Sequence, residues 1–164
     1  MFLVYLSYFA LAMLLHELGH LFVARVCRVP AQELGLGWGK SLWEFQLGGV
    51  RYRLHALPVG AYVRLDMRRL QERRLDQQVF ILLAGIIVNL CAAAATAGSM
   101  FSLMNLLLAT TNLLPLYQQD GWKCGIVILR RLLRRKSGLV EWTFTLTGGG
   151  LSLALLAALA LRHL

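Results

Sequence analysis

The sequence predicts an α-helical integral membrane protein with about four transmembrane helices and a membrane-associated β-hairpin in the first cytoplasmic loop. Of its 164 residues, 58% are hydrophobic and only 15% are charged, whereas a soluble domain usually carries about a quarter charged residues. Long uncharged stretches alternate with basic loops, and two alternating runs flank a Gly-Gly pair. This composition excludes a disordered chain, and three widely spaced cysteines exclude a disulfide scaffold.

The predicted spans are uncharged stretches of the length that a bilayer requires. The first 24 residues carry one charge, Glu17, and predict a retained helix rather than a signal peptide, because no basic segment precedes them. Between Asp76 and Asp120 lie 43 uncharged residues, enough for two crossings joined by a turn at 97–99. The four predicted spans are 1–24, 79–96, 100–116 and 142–161.

The basic residues predict the orientation of these spans. Ten Lys and Arg lie in 25–78, none lies in the turn at 97–99, and six lie in 120–138. The positive-inside rule places both basic stretches in the cytoplasm and both chain ends outside. The net charge of +9 then indicates contact with anionic lipid and not with nucleic acid. Without a repeat or a low-complexity linker, 1–164 is expected to form a single domain.

A hairpin is predicted inside the first basic loop. Residues 42–47 and 50–55 alternate between apolar and polar side chains on either side of Gly48-Gly49, a strong signal for a two-residue turn. Two interpretations stay open, namely a surface anchor on the membrane or an edge to which an extended peptide adds as a strand. The predicted apolar face consists of Trp43, Phe45, Leu47, Val50, Tyr52 and Leu54.

The first span contains the sequence His16-Glu17-Leu18-Gly19-His20. Residues four apart lie on one face of a helix, so both imidazoles can reach one metal ion, with Glu17 placed to act on a water molecule as general base. Ionisable groups within a membrane span are costly and usually functional. The alternative is a buried polar cluster that only packs helices together.

Asp120 is the candidate third ligand. Of the eight acidic residues, it is the one outside the first span that directly ends a long uncharged run. Pro115 disfavours helix at the residue before it, so we expect the backbone to open between Asn112 and Asp120. Such backbone is tolerated at membrane depth where it lines a cavity. Alternatively, Asp120 only caps the helix that follows.

These motifs together resemble the site-2 protease family of zinc intramembrane metalloproteases. That family pairs His-Glu-x-x-His with a later Asn-x-x-Pro…Asp-Gly, which corresponds here to Asn112 through Gly121. Ala84 to Asn89 matches its Gly-x-x-x-Asn segment, and Leu57 to Val63 is similar to the stretch that follows its hairpin. Departures are Gln119 before Asp-Gly, and Ile86 and Ala61 at positions where the family often has Pro and Gly.

The resemblance implies that His16, His20 and Asp120 bind Zn²⁺ and that Glu17 is the catalytic base. Asn89 and Asn112 would hydrogen-bond substrate backbone or a ligand, although structural hydrogen bonds between helices are an equal alternative. The implied function is an intramembrane endopeptidase acting on single-span membrane proteins. The expected location is a prokaryotic plasma membrane, with the active site in its cytoplasmic half. The alternative function is a non-catalytic zinc-binding regulator, which would not require Glu17.

Overall fold

The fold is mainly helical, with one long hairpin inserted after the first helix. A computed structural model describes residues 1–133 and 138–161, and residues 134–137, which carry part of the predicted basic stretch, and 162–164 lie outside this description. The elements are α1 (Phe2–Val26), β1 (Ala31–Leu47), β2 (Val50–Leu65), α2 (Met67–Gln71), α3 (Leu75–Ala95), α4 (Met100–Leu113), α5 (Asp120–Leu132) and α6 (Gly138–Leu161).

Two helices in the described part of the chain are long and apolar enough to cross a membrane, Leu3–Val26 and Leu75–Ala95. They correspond to the first two predicted spans. The predicted third span, 100–116, is too long, because α4 ends at Leu113 after 14 residues, about 21 Å of helix against about 30 Å of hydrocarbon. The predicted fourth span lies within α6. Four crossings therefore stay a prediction.

The helices α4 and α5 contact different parts of α1. Phe101, near the start of α4, packs against Tyr8 with ring centroids 5.7 Å apart. Cys124 of α5 belongs to the same apolar cluster as Val23 and Ala24, near the other end of α1. Thus α4 packs beside the first half of α1, whereas α5 packs mainly on α3 and reaches α1 beyond its middle.

The helices α1 and α3 approach each other closely at a glycine. A Cβ atom on Gly19 would lie 2.9 Å from both the carbonyl oxygen of Ala84 and the Cγ2 of Val88. Small residues permit such close packing of helices. The central cluster of buried apolar residues consists of Val23, Ala24, Val29, Leu70, Ile81, Leu82, Ala84 and Cys124. This packing fixes the side of α1 that carries the two histidines against α3.

The predicted hairpin is confirmed, including its Gly48-Gly49 turn, but its strands are far longer than 42–47 and 50–55. Residues 33–36 pair with 61–64 on one side and with 51–54 on the other. The segment 57–63 therefore lies inside β2 instead of following the hairpin. Positive φ angles at Gly37, Gly39 and Gly60 let the strands bend enough for this second pairing.

The apolar face of the hairpin is as predicted. Trp43 pairs with Leu54, Phe45 with Tyr52 and Leu47 with Val50, and the rings of Phe45 and Tyr52 stack with centroids 4.9 Å apart. Since 50–54 is paired on both sides, 42–47 is the outer strand at this end of the sheet. Trp43 and Leu47 are both largely exposed.

The hairpin is held against α1 by apolar and polar contacts. Leu34 and Val50 form a buried cluster with Leu21 of α1. Glu33 is buried and accepts hydrogen bonds from Tyr62 and Arg53. Burial alone would raise the pKa of Glu33, but the Tyr62 hydrogen bond and the nearby arginines hold it below its usual value. The sheet therefore lies firmly beside the helix that carries the His-Glu-x-x-His sequence.

Candidate metal centre

The side chains of two histidines of α1 and one aspartate of α5 meet between the helices. His16, His20 and Asp120 are each only 5% exposed. The Nε2 atoms of His16 and His20 lie 2.8 Å and 3.0 Å from the same oxygen, Oδ2 of Asp120, and 3.1 Å from each other. The three residues that the sequence predicts as metal ligands thus come together although 100 residues separate His20 from Asp120.

The other nitrogen of each imidazole is held by an acceptor. His20 Nδ1 lies 2.7 Å from the carbonyl oxygen of Ile81, which can only accept a hydrogen bond, so Nδ1 carries the proton. His16 Nδ1 lies 2.7 Å from Oδ1 of Asn89. In neutral histidines with this tautomer, both Nε2 lone pairs point at the Asp120 carboxylate. Metal-binding histidines are usually held in this way, with the N–H of the other ring nitrogen donated to an acceptor.

Asp120 reaches the histidines because the chain opens between α4 and α5. As predicted from Pro115, 114–119 is not helical, and Gln118 adopts a left-handed conformation with φ of 70°. Asp120 is not the N-cap of α5, because Gln119 occupies that position. Instead, the two oxygens of the Asp120 carboxylate have different partners. Oδ2 faces the histidines, and Oδ1 accepts a hydrogen bond from Lys123 Nζ at 2.9 Å.

The helix α6 packs against this opened segment. The Tyr117 backbone N–H donates to Ser152 Oγ at 3.3 Å. A Cβ on Gly148 would lie 2.9 Å from the Trp122 ring and 3.1 Å from the Pro115 carbonyl oxygen. The first glycine of the predicted Gly148-Gly149-Gly150 run therefore permits a close approach, as small residues do between membrane helices.

The space at the two Nε2 atoms is left open by a glycine of α3. A Cβ on Gly85 would lie 2.6 Å from Nε2 of His16 and 2.6 Å from Nε2 of His20. Two imidazole nitrogens and one carboxylate oxygen are a donor set that suits catalytic zinc, whose bonds of about 2.0–2.1 Å separate neighbouring ligands by about 3.3 Å. The residues fit a zinc ion after movements of a few tenths of an ångström.

Glu17 lies beside the metal ligands on α1 and is half-buried. Within the described residues, its carboxylate makes no hydrogen bond and no ion pair, although it stands in the field of His16, His20 and Asp120. A carboxylate next to a metal centre that is not engaged by a cation is available to accept a proton.

The two candidate asparagines occupy different environments. Asn89 is fully buried, and besides its contact with His16 its Nδ2 donates to Ala12 O and to Asn105 Oδ1. Asn112 donates to Leu108 O of its own helix, and no contact between it and the metal ligands is found among the described residues. Asn89 thus contacts a candidate metal ligand and also makes hydrogen bonds between helices, while a substrate contact of either asparagine stays a prediction.

Sequence reasoning missed Lys123 and Asn105. Lys123 follows Asp120 by three residues at the start of a helix, a spacing that brings two side chains together. Asn105 is a fully buried amide in the apolar helix α4. Both signals were present in the sequence, but the partner of Asn105 lies on another helix and no local pattern identifies it.

The site is a candidate metal centre of two histidines and one aspartate within a mainly helical fold. A family model described as peptidase family M50 matches residues 4–103, more than half of the chain. The chain belongs to this family of zinc-dependent proteases, and it is a membrane protein.

Individual relatives agree with this assignment. A protein of Helicobacter pylori strain J99 named "Putative zinc metalloprotease" is 38% identical over 80 residues, covering 47% of this chain and 23% of that protein. Proteins with the same description from Campylobacter jejuni and Clostridium acetobutylicum are 40% and 32% identical, covering 48% and 52% of this chain and 25% and 28% of theirs. The chain thus spans about a quarter of the length of these relatives.

Proposed function

We propose that this chain is an intramembrane endopeptidase that hydrolyses peptide bonds in or near the transmembrane helices of single-span proteins. The observation that carries the proposal is the convergence of His16 Nε2, His20 Nε2 and Asp120 Oδ2 inside an apolar helical framework. Family membership supports zinc as the ion. A bound zinc ion would supply Lewis-acid polarisation of the scissile carbonyl.

Glu17 is the general base in this proposal. Its carboxylate would accept a proton from the attacking water and pass it to the leaving amine, as the glutamate of His-Glu-x-x-His does. Among the described residues, the Glu17 carboxylate has no hydrogen-bond or ion-pair partner and can therefore accept a proton. A regulator that only binds zinc would not require Glu17, so this carboxylate supports proteolysis.

The centre would lie in the cytoplasmic half of a prokaryotic plasma membrane. His16 is nine residues from Arg25, about 14 Å of helix, and 15 residues from Met1, about 22 Å. In this orientation α1, α3 and α6 would each cross once, and α4 with α5 would make one interrupted crossing. The interruption would then stand at the depth of the zinc centre, where irregular backbone has to be covered by protein or line a cavity, and α6 packs against part of it.

A substrate helix must unwind before cleavage, because its carbonyls are already hydrogen-bonded. In lipid, each unpaired N–H or C=O group costs several kcal/mol. The outer strand 42–47 would offer partners, since an extended peptide can add to a free sheet edge. Exposed Trp43 and Phe45 would place this end of the hairpin in the membrane interface.

The proposal is tested by coexpression with candidate single-span proteins. We expect cleavage by the unchanged protein and a loss of about 10²–10⁴-fold in rate for Glu17→Gln, because the amide cannot accept a proton. Glu72→Gln, the same change at an exposed position in the cytoplasmic loop, should cleave normally. Equal cleavage by the Glu17→Gln protein would contradict the assigned base, and zinc binding without any cleavage would favour the regulator.

A further inference from the structure

Two fully buried amides connect α4 to the metal centre. Asn89 of α3 and Asn105 of α4 are both 0% exposed, within helices made mostly of apolar residues. Buried amides must have hydrogen-bond partners to be tolerated. Here, the partners form one continuous chain from α4 through α3 to His16 on α1.

The direction of this chain is fixed by backbone carbonyls, which can only accept. Asn105 Nδ2 donates to Phe101 O at 2.9 Å, so Asn105 Oδ1 faces Asn89 and accepts from its Nδ2 at 2.8 Å. Asn89 Nδ2 also donates to Ala12 O at 3.2 Å. With both amide protons used, Asn89 presents Oδ1 to His16 and accepts from Nδ1–H at 2.7 Å.

We propose that Asn105 is a positioning residue of the metal centre, holding His16 through Asn89 in the tautomer that leaves Nε2 free for zinc. Asn105 does not touch a metal ligand, so its effect passes entirely through the Asn89 amide. The proposal concerns zinc binding and not peptide hydrolysis, and it can fail or hold independently of the proposed protease activity.

The competing tautomer shows what Asn105 prevents. With the proton on Nε2, His16 would donate to Asp120 Oδ2 at 2.8 Å and lose its lone pair for the metal. Its bare Nδ1 would then need a donor, which Asn89 supplies only if its amide rotates. The rotated Oδ1 of Asn89 would face Asn105 Oδ1 at about the present 2.8 Å, with no proton between the two acceptors.

The first test compares zinc dissociation constants of full-length variants in detergent. Removing a partner behind a metal-binding histidine typically costs 10–100-fold in affinity, and for Asn105→Leu we expect about tenfold. Asn105→Asp should bind normally, because a buried, neutral aspartic acid accepts from Asn89 and donates to Phe101 O. The control is Ser102→Ala, which removes another α4–α3 hydrogen bond, Ser102 Oγ to Ala93 O, without touching the chain.

Unchanged affinity in folded Asn105→Leu protein would overturn the proposal, as would an equal loss in Ser102→Ala, since the effect would then be one of helix packing alone. A second measurement needs no variant that might misfold. Nitrogen-15 NMR of the metal-free, histidine-labelled protein, with His16 assigned by comparison with His16→Gln, should find the proton on Nδ1. An Nδ1 of His16 without a proton would overturn the proposal.

Discussion

Because Ile81 O and Asn89 Oδ1 both accept hydrogen bonds, each histidine of the centre needs a single neutral tautomer to present Nε2. The 3.1 Å separation of the two Nε2 atoms then brings two lone pairs together next to a carboxylate. A divalent cation would relieve this crowding by accepting both lone pairs and the carboxylate oxygen. The metal centre is therefore built by the acceptors behind the ligands as much as by the ligands.

The zinc content of histidine variants is the direct prediction at the scale of residues. We expect one zinc ion per chain, lost in His16→Ala and in His20→Ala, because two remaining ligands make a poor site. His55→Ala changes a histidine of the hairpin that contacts Leu36 O and should keep zinc. Zinc analysis of the detergent-purified proteins measures this, and full retention in both ligand variants would reject the assigned site.

A second residue-scale prediction concerns Gly85. In Gly85→Ala, the new methyl group would lie 2.6 Å from both Nε2 atoms, so the imidazoles or α3 must move. We expect zinc affinity to fall by about 10–100-fold, the range seen when the surroundings of ligands are altered. Gly149→Ala is the matched control, since nothing lies within 4 Å of the added atom. Equal affinities in the two variants would mean that α3 does not shape the zinc pocket.

At the scale of elements, local patterns were predictable and non-local pairings were not. The Gly48-Gly49 turn and the face shared by Trp43, Phe45 and Tyr52 follow from alternation within one hairpin. Residues 33–36 pair with 51–54 as well as with 61–64. No periodicity in the sequence identifies this double pairing. That pairing decides which strand is outer, so the sequence alone left both edges of the hairpin open.

The structure makes the strand-addition prediction specific. In a two-residue hairpin, Leu47 and Val50 form a hydrogen-bonded pair, so the N–H groups of Glu44 and Gln46 point away from β2, toward the free edge. Gln46→Pro removes one outward donor without breaking the hairpin ladder. We expect slower substrate cleavage with zinc still bound, while Gln46→Ala cleaves normally. Unchanged cleavage in proline variants at both positions would leave the hairpin as a surface anchor.

The same distinction between local patterns and non-local pairings decides how much of the metal centre could be predicted. His16 and His20 are separated by one helical turn, so their common face could be predicted from spacing alone. Asp120 was found because it ends a long uncharged run and because the motif order resembles a family. Its role as the first residue of α5, after an N-cap at Gln119, depends on the exact point where the helix begins, which sequence patterns locate poorly.

At the scale of the whole molecule, the break between α4 and α5 links topology to chemistry. A continuous helix from Met100 would carry Asp120 past the histidines or turn it away from them, since side-chain direction rotates by about 100° per residue. The opened segment lets α5 begin beside His16, where Gly121 packs against the Leu113 carbonyl. The separation of α4 from α5 is thus the condition for a third ligand.

Topology mapping tests this arrangement. Reporter fusions at Asp76 and Lys136 should read cytoplasmic, and fusions at Gly98 and Leu164 external, because basic residues cluster in 25–78 and 120–138. The Lys136 fusion is decisive for the break, since α4 alone, about 21 Å long, is too short to cross, and a cytoplasmic result requires that α4 and α5 cross together. An external result at Lys136 would mean that α5 turns back toward the outside, and it would reject the interrupted crossing. A cytoplasmic result at Leu164 would instead remove α6 from the spans while leaving the zinc centre intact.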